Sequence, residues 1–377
     1  MSDVAELAAQ LVAIESINPD LVEGGSGELG VARFVAEWCE RAGLEATLTE
    51  LAPGRANVVA IARGSGGGRS LMLNAHMDTV GVVGMTEPFV PRLENGRLYG
   101  RGAQDMKGSL AACLLAAVDA KRRGLRGDVI VTAVADEEFA SIGTEAVAAG
   151  VRADAAIVAE PTEMRLAVAH RGFVHLEVEV HGKAAHGSRS GLGIDAIAKM
   201  GRVLVGIEQL DARLRAAPRH PRLGSGSVHA SLIEGGQEFS SYPARCTLQA
   251  ERRTTPGESA ELAERELLEI VARAGEGDPD FRADARASIS REPFEVAEDA
   301  EIVECVRRQA TRVLGSAPTT VGVPFWADSA LLASAGIPTV VFGPTGEGLH
   351  SEVEWVDVNS LECCAQIYSA VGAELCA

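Results

Sequence analysis

Apolar residues recur at helical spacing over 3–15 and again over 28–43, where Gly43 supplies a stop, so the chain is expected to open with two amphipathic helices. The pattern then shortens. Residues 57–63 and 70–75 read as strands joined by Gly64-Ser65-Gly66-Gly67-Gly68-Arg69. That run contains a G-x-G but opens no helix, so it is read as a turn and not as a nucleotide loop. Residues 108–123 form an apolar helix pattern. Residues 129–135 and 155–159 are near-continuous apolar runs, as expected of strands buried on both faces of a parallel sheet.

Near His170 the character changes. Residues 174–180 alternate like a half-exposed strand, and 194–210 are helical. Strands are expected at 228–233 and 244–251, then a helix at 260–274 and a strand at 281–289. This β-α-β-β-α-β order predicts a ferredoxin-like module. After Pro293 the first pattern returns, with a helix at 299–314, a strand at 337–342 and a helix at 359–374. The fold class expected is therefore α/β with a smaller α+β domain inserted: residues 1–171 and 291–377 form the main domain around an insert of 172–290. A length of 377 residues also exceeds what one core ordinarily fills.

Composition narrows the partners. The chain is 46% hydrophobic and only 4% aromatic, and 53 acidic residues against 35 basic ones give a net charge of -18. No Lys/Arg run offsets this, so nucleic acid and anionic membranes are not expected partners. The first residues lack a basic region followed by an apolar stretch, and no apolar run approaches the roughly 18 residues of a membrane span. Neither a signal peptide nor a membrane anchor is expected. The seven cysteines are scattered without a C-x-x-C pair, and Cys363 and Cys364 are adjacent. Reduced thiols and a cytoplasmic location follow as expectations.

Five short segments carry the candidate chemistry: His76-Met77-Asp78, Asp105 within the glycine-rich stretch 100–108, the pair Glu137-Glu138, Glu160 before Pro161, and His350. Each follows a short apolar or β-branched run, which places the set at strand ends, where open α/β sheets carry their sites. Taken singly, the segments have plainer readings. Asp105 could be a helix N-cap, and Asp136-Glu137-Glu138 a solvated acidic turn. Yet Gly100, Gly102 and Gly108 let backbone approach Asp105 closely, and three adjacent acids repel unless they share a cation or a proton. Together the histidines and carboxylates point to a hydrolytic dinuclear metal centre. A serine hydrolase would need G-x-S-x-G and a dehydrogenase G-x-G-x-x-G between strand and helix; neither arrangement is present.

These motifs resemble those of the acetylornithine deacetylase / succinyl-diaminopimelate desuccinylase family of dinuclear zinc amidohydrolases (peptidase family 20 of the metallopeptidases), and the similarity runs from about residue 5 to 372. The family also holds aminoacylases, dipeptidases and glutamate carboxypeptidases. The resemblance implies a zinc-aminopeptidase-like catalytic domain with a ferredoxin-like lid/dimerisation domain. It makes His76 and Glu160 ligands of a first metal, Glu138 and His350 ligands of a second, and Asp105 the carboxylate bridging the two. Asp78 becomes the acid behind His76, and Glu137 the general base that takes a proton from the attacking water. The peptide bond after Asp105 is expected to be cis. In the insert, Gly182-Lys183-Ala184-Ala185-His186-Gly187-Ser188 is similar to the segment whose histidine stabilises the oxyanion in the partner subunit's site. Arg253 matches the arginine that holds a substrate carboxylate.

The activity implied is metal-dependent hydrolysis of an N-acyl-L-amino acid, with a dipeptidase or glutamate carboxypeptidase activity as the alternative. Two divalent ions are implied, zinc foremost with cobalt or manganese able to fill the same ligands. A homodimer built through residues 172–290 is implied as well. A metal-binding regulator without catalysis would not need Glu137 beside Glu138. One departure weakens any subfamily assignment: Ser240-Ser241-Tyr242-Pro243 stands where many relatives carry Asn-x-x-Pro. His170, His175, His181, His220 and His229 have no ligand-like context.

Overall fold

In the computed structural model, which describes residues 2–216 and 220–377, the long apolar runs become the middle of one sheet. Helices α1 (Asp3–Val12) and α2 (Leu29–Arg41) precede strands β1 (Glu45–Ala52), β2 (Arg55–Ala62) and β3 (Leu71–His76). Short strands β4 (Arg92–Glu94) and β5 (Arg97–Tyr99) lead through a turn at Ala103–Lys107 into α3 (Gly108–Arg123). Then come β6 (Val129–Val134), α4 (Ile142–Gly150), β7 (Ala155–Val158) and β8 (Leu166–His170). The insert runs β9 (Gly172–His181), α5 (Ala196–Ala216), β10 (Ser227–Gly235), β11 (Arg245–Thr254), α6 (Ala260–Ala274) and β12 (Arg282–Arg291). The return comprises β13 (Phe294–Glu295), α7 (Glu301–Leu314), β14 (Thr320–Val323), α8 (Ser329–Ser334) and β15 (Thr339–Val341). It closes with β16 (Gly346–Glu347), β17 (Trp355–Asp357) and α9 (Val358–Leu375).

Contacts divide the chain into two units. The larger holds residues up to Val168 with Val296–Val321 and Ala327–Ala377; the smaller holds Ala169–Glu295 and Gly322–Trp326. The insert reading of 172–290 did not include that last segment. It groups with the smaller unit because Trp326 donates Nε1–H to the Glu292 carbonyl at 3.1 Å and meets the rings of His170 and Phe173 edge-on.

In the larger unit the sheet order is β1-β2-β6-β3-β7-β15-β8, and β6, β3, β7 and β15 run parallel. All residues of β3, β6 and β7 are buried, the physical origin of their unbroken apolar runs. Helix α3 packs on β3 and β6 and is flanked by α1 and α9. Strands β2 and β3 are neighbours in sequence but not in space, since β6 lies between them. The Gly64–Arg69 stretch therefore spans a strand instead of closing a hairpin, and its Gly64 amide donates to Asp128 Oδ1 at 2.9 Å. Residues 25–30 match the G-x-G-x-x-G spacing and lead into α2, but no strand precedes them. The buried carboxylate of Glu28 stands at the helix start and accepts from Arg55 Nε at 2.7 Å. A second, small antiparallel sheet, β16-β17-β5-β4, brings the loop after β5 beside the loop before β17.

The smaller unit is a four-stranded antiparallel sheet in the order β10-β11-β9-β12, the ferredoxin-like arrangement. Alternate residues of β9 are buried, and Val174, Leu176, Val178 and Val180 share one core with Met200 and Val203 of α5 and Leu267 and Ile270 of α6. Among the described residues, no helix is long and apolar enough to cross a membrane.

Candidate metal centre

His76 is the last residue of β3 and is buried. Its Nδ1 lies 3.0 Å from the Asp78 carbonyl oxygen, which turns Nε2 toward a group of carboxylates. From Nε2 the distances are 3.0 Å to Asp105 Oδ1, 3.7 Å to Glu160 Oε1 and 4.0 Å to Glu137 Oε2. Glu160 follows β7, and its Oε1 is buried without a hydrogen bond. Glu137 and Glu138 follow β6 through Asp136, a non-glycine residue at φ +70°. That turn is held from below. The Asp136 carboxylate accepts from Arg55 Nη2 at 2.6 Å and Asn18 Nδ2 at 3.0 Å. Asp78, fully buried, accepts the amides of Glu137 and Glu138 at 3.1 Å each and Asn18 Nδ2 at 2.8 Å. Asp78 thus orients His76 through its backbone carbonyl and fixes the acidic turn through its carboxylate.

Asp105 and His350 arrive differently. Asp105 sits in the turn after β5, and its peptide bond to Met106 is cis. His350 lies between β16 and β17 at φ +58°, with 53% of its side chain exposed against 1% for His76. Neither stands at an end of the central strands, where the apolar runs of the sequence had placed them; both come from loops bordering the small sheet. Their side chains still join the cluster. His350 Nε2 is 3.4 Å from Asp105 Oδ2 and 3.1 Å from Glu138 Oε2.

Two sets of donor atoms result, one from His76, Glu137 and Glu160 and one from His76, Asp105 and Glu138, each within 4.8 Å. Burial, with the Glu160 charge added, pushes Glu137 well above the usual carboxylate range. Burial likewise raises Glu160, and together with Asp105 lifts Glu138 to about 7. The contacts of His350 with Asp105 and Glu138 raise it to about 10. For His76, burial opposes protonation, but Asp105 and Asp78 prevail and the imidazole is raised well above its ordinary value. Burial works against charge on Asp105 too, yet His350 and His76 hold it below the carboxylate range. Four largely buried carboxylates facing one buried and one half-exposed imidazole, with one oxygen lacking a hydrogen bond, form a donor set matched to divalent cations.

The structure adds residues that the motifs did not single out. Asp328, buried at the start of α8, accepts from Thr144 Oγ1 at 2.6 Å; burial lifts it to about 6, and it feels the His76 charge. Glu354 and Arg101 form a buried pair at 2.7 Å behind Asp105. Only the spacing of Glu354 four residues after His350 hints at it in the sequence.

His186 and Arg253 belong to the smaller unit. His186 is exposed, and the Ser188 amide donates to its Nδ1 at 3.2 Å, so the neutral ring carries its proton on Nε2. The His186 segment pairs with the Ser240–Pro243 segment through Gly187 N–H to Ser240 O and Tyr242 N–H to Ala185 O. Arg253 is half-buried, lies over the Phe173 ring and donates Nε–H to Glu251 at 2.7 Å.

The model of a family described as Peptidase family M20/M25/M40 matches residues 72–373. An acetylornithine deacetylase of Myxococcus xanthus is 31% identical, with 97% of this chain and 96% of its own length covered. An N-formyl-4-amino-5-aminomethyl-2-methylpyrimidine deformylase of Halalkalibacterium halodurans is 28% identical over 87% of this chain and 85% of its own. Among solved structures, a tripeptidase of Staphylococcus aureus shares the fold with a TM-score of 0.82 at 19% identity, covering 99% of this chain and 98% of that one.

Proposed function

The chain belongs to peptidase family M20/M25/M40 and is a metal-dependent amidohydrolase; from that premise we propose that it hydrolyses N-acyl-L-amino acids with two divalent cations, zinc foremost. The observation that carries the two-ion reading is Asp105, whose Oδ1 faces His76 and whose Oδ2 faces His350. His76 and Glu160 would hold one ion, Glu138 and His350 the other, with Asp105 between them. Bound there, the cations supply Lewis acidity, polarising an amide carbonyl and acidifying water.

The chain's own groups do the rest. Glu137 accepts a proton from water at its carboxylate, a transfer helped by the raised proton affinity that burial confers. It then returns that proton to the departing amine. Asp78 keeps the Glu137 backbone in place through the amide it accepts. His186, with its proton on Nε2, donates to the oxyanion, and Arg253 holds the substrate carboxylate with its two Nη groups while Nε stays on Glu251. The deacetylase and deformylase relatives support an acyl group of acetyl or formyl size, and succinyl belongs to the same test. The free cysteines fit a reducing, cytoplasmic setting.

An assay of N-acetyl, N-succinyl and N-formyl amino acids beside dipeptides, with zinc added, tests this reading. Turnover of dipeptides alone would overturn the N-acyl assignment. The homodimer belongs to the proposal too, with His186 serving the other subunit. Mixing inactive Glu137→Gln and His186→Ala subunits is expected to restore activity, because a heterodimer pairs one intact centre with one intact histidine. A mixture that stays inactive although heterodimers form removes the trans role.

A further inference from the structure

Behind the exposed half of the centre stands a pair of buried charges. The Glu354 carboxylate is 1% exposed and accepts four N–H groups. Its Oε2 takes Arg101 Nη1 at 2.7 Å and the Gly102 amide at 3.0 Å; its Oε1 takes the Gln104 amide at 2.9 Å and the Asp105 amide at 3.1 Å. The Glu354 carbonyl also accepts the Gly100 amide at 3.1 Å. Arg101, 3% exposed, extends the grip in two further directions. Its Nη2 donates to the Ser351 carbonyl at 3.0 Å and to the Gly81 carbonyl at 2.9 Å. Ser351 follows His350, and Gly81 lies three residues past Asp78. One ion pair therefore ties together the loops that carry Asp105 and His350 and the loop beyond Asp78.

We propose that Arg101 and Glu354 are positioning residues for the cation centre, holding Asp105 and His350 at a fixed separation so that the ion shared by Asp105, Glu138 and His350 binds. This rests on the two-cation reading above. Three features of the pair lead there. A carboxylate with four donors is satisfied only as an anion, and charge-assisted contacts of this kind are the strong ones. Beyond this ion pair, the two loops are joined by the short pairing of β5 and β17 over Arg97–Tyr99 and Trp355–Asp357. His350 also sits at a positive φ, a conformation that persists only where its surroundings hold it. His76 and Glu160, by contrast, are placed by β3 and β7, and the Glu354 carboxylate takes its hydrogen bonds from Arg101, Gly102, Gln104 and Asp105.

The test uses full-length Glu354→Gln and Arg101→Lys. Glutamine keeps the shape but turns an amide NH2 toward amide donors. Lysine keeps the charge but loses the fork that reaches Ser351 and Gly81 together. Metal-free protein is titrated with zinc by calorimetry, and amide exchange is followed across the chain without metal. For Glu354→Gln, one zinc should bind within a few-fold of the unmodified protein and the other about 10–100-fold more weakly, as for other supporting partners of metal ligands. Excess zinc should restore much of the lost kcat. Amides of residues 102–105 should exchange faster while those of β3 and β7 do not change. Arg101→Lys should move both readouts the same way by less, and it carries the test should Glu354→Gln not fold. Equal weakening of both ions, or no weakening, overturns the proposal, as does unchanged exchange over 102–105. If the unmodified protein binds fewer than two zinc ions, the two-cation reading falls. The exchange result alone then decides whether the pair positions these loops.

Discussion

The two halves of the centre are built in opposite ways. His76, Glu137, Glu138 and Glu160 stand at the carboxyl ends of β3, β6 and β7, strands whose residues are all buried. Asp105 and His350 hang from loops, and His350 is half exposed. The strand-borne half is held by the sheet, with Asp78, Asn18 and Arg55 beneath it as a buried hydrogen-bonded network. The loop-borne half is held by two charged side chains. A site that must admit a substrate needs one side it can keep rigid and another that remains open to solvent, and here the division runs through Asp105.

The strongest test of the strand-borne half is Glu137→Gln. The amide keeps the volume but cannot take a proton, so turnover should fall by about 10²–10⁴-fold or more if Glu137 has the double role proposed for it. Zinc content and KM should change little. If zinc is lost together with activity, Glu137 is a ligand and not the base, an outcome its place within 4.8 Å of His76 and Glu160 makes worth measuring.

The same contrast governs what could be read from the sequence. Strands β3, β6 and β7 were legible because burial on both faces leaves an uninterrupted apolar run, and the groups at their ends follow directly. The alternation of β9 and the boundaries of α6 were legible for the corresponding reason, a single face turned to a core. Strand β1 is not, since no residue of Glu45–Ala52 is buried and the stretch shows no apolar run. For Asp105 and His350 the short apolar runs before them point to strand ends that the structure does not bear out, and their roles as ligands rest on resemblance to known motifs. Glu354 and Arg101 had neither support: a lone acid four residues from a histidine becomes informative only when the amides it binds, some 250 positions away, are brought beside it.

A pair of histidine substitutions sharpens the comparison at the level of stability. His76→Ala leaves Asp105 and Asp78 in the interior without their shared partner, and breaking such buried pairs costs about 3–5 kcal/mol. Its melting temperature without metal should fall markedly, and the ion assigned to His76 and Glu160 should bind weakly. His350→Ala removes a half-exposed side chain whose ion pairs with Asp105 and Glu138 are screened by solvent, so the metal-free protein should be destabilised less than by His76→Ala, while a single ion is lost. Equal destabilisation by the two changes would mean that the loop half is as deeply integrated as the strand half.

The smallest effect is a slope against pH. Glu138 in the folded centre holds its proton to about 7, whereas an unfolded glutamate releases it near 4.3. Between those values the folded state binds more protons, so each rise in pH removes stability. His350 acts in the same sense higher up, since it stays protonated to about 10 against about 6.5 in an unfolded chain. Asp105 has the opposite sign, but its depressed value confines it to acid below about pH 4. In the smaller unit burial raises Glu292, but Asp278 and Glu258, held in ion pairs, are depressed. Lys199 holds Asp278 at about 2, and Glu258 is lowered by Arg252 despite burial. Their contribution is complete above about pH 4 and lost only on acidification. Chelator-treated protein should therefore melt at progressively lower temperature from pH 5 to pH 9 through its larger unit, while the smaller unit stays level. Zinc should flatten or reverse that slope, because the ion takes the place of the protons and binds more tightly as they leave. A metal-free melting temperature that holds steady or rises over this range would show that the raised groups do not titrate as the buried geometry requires.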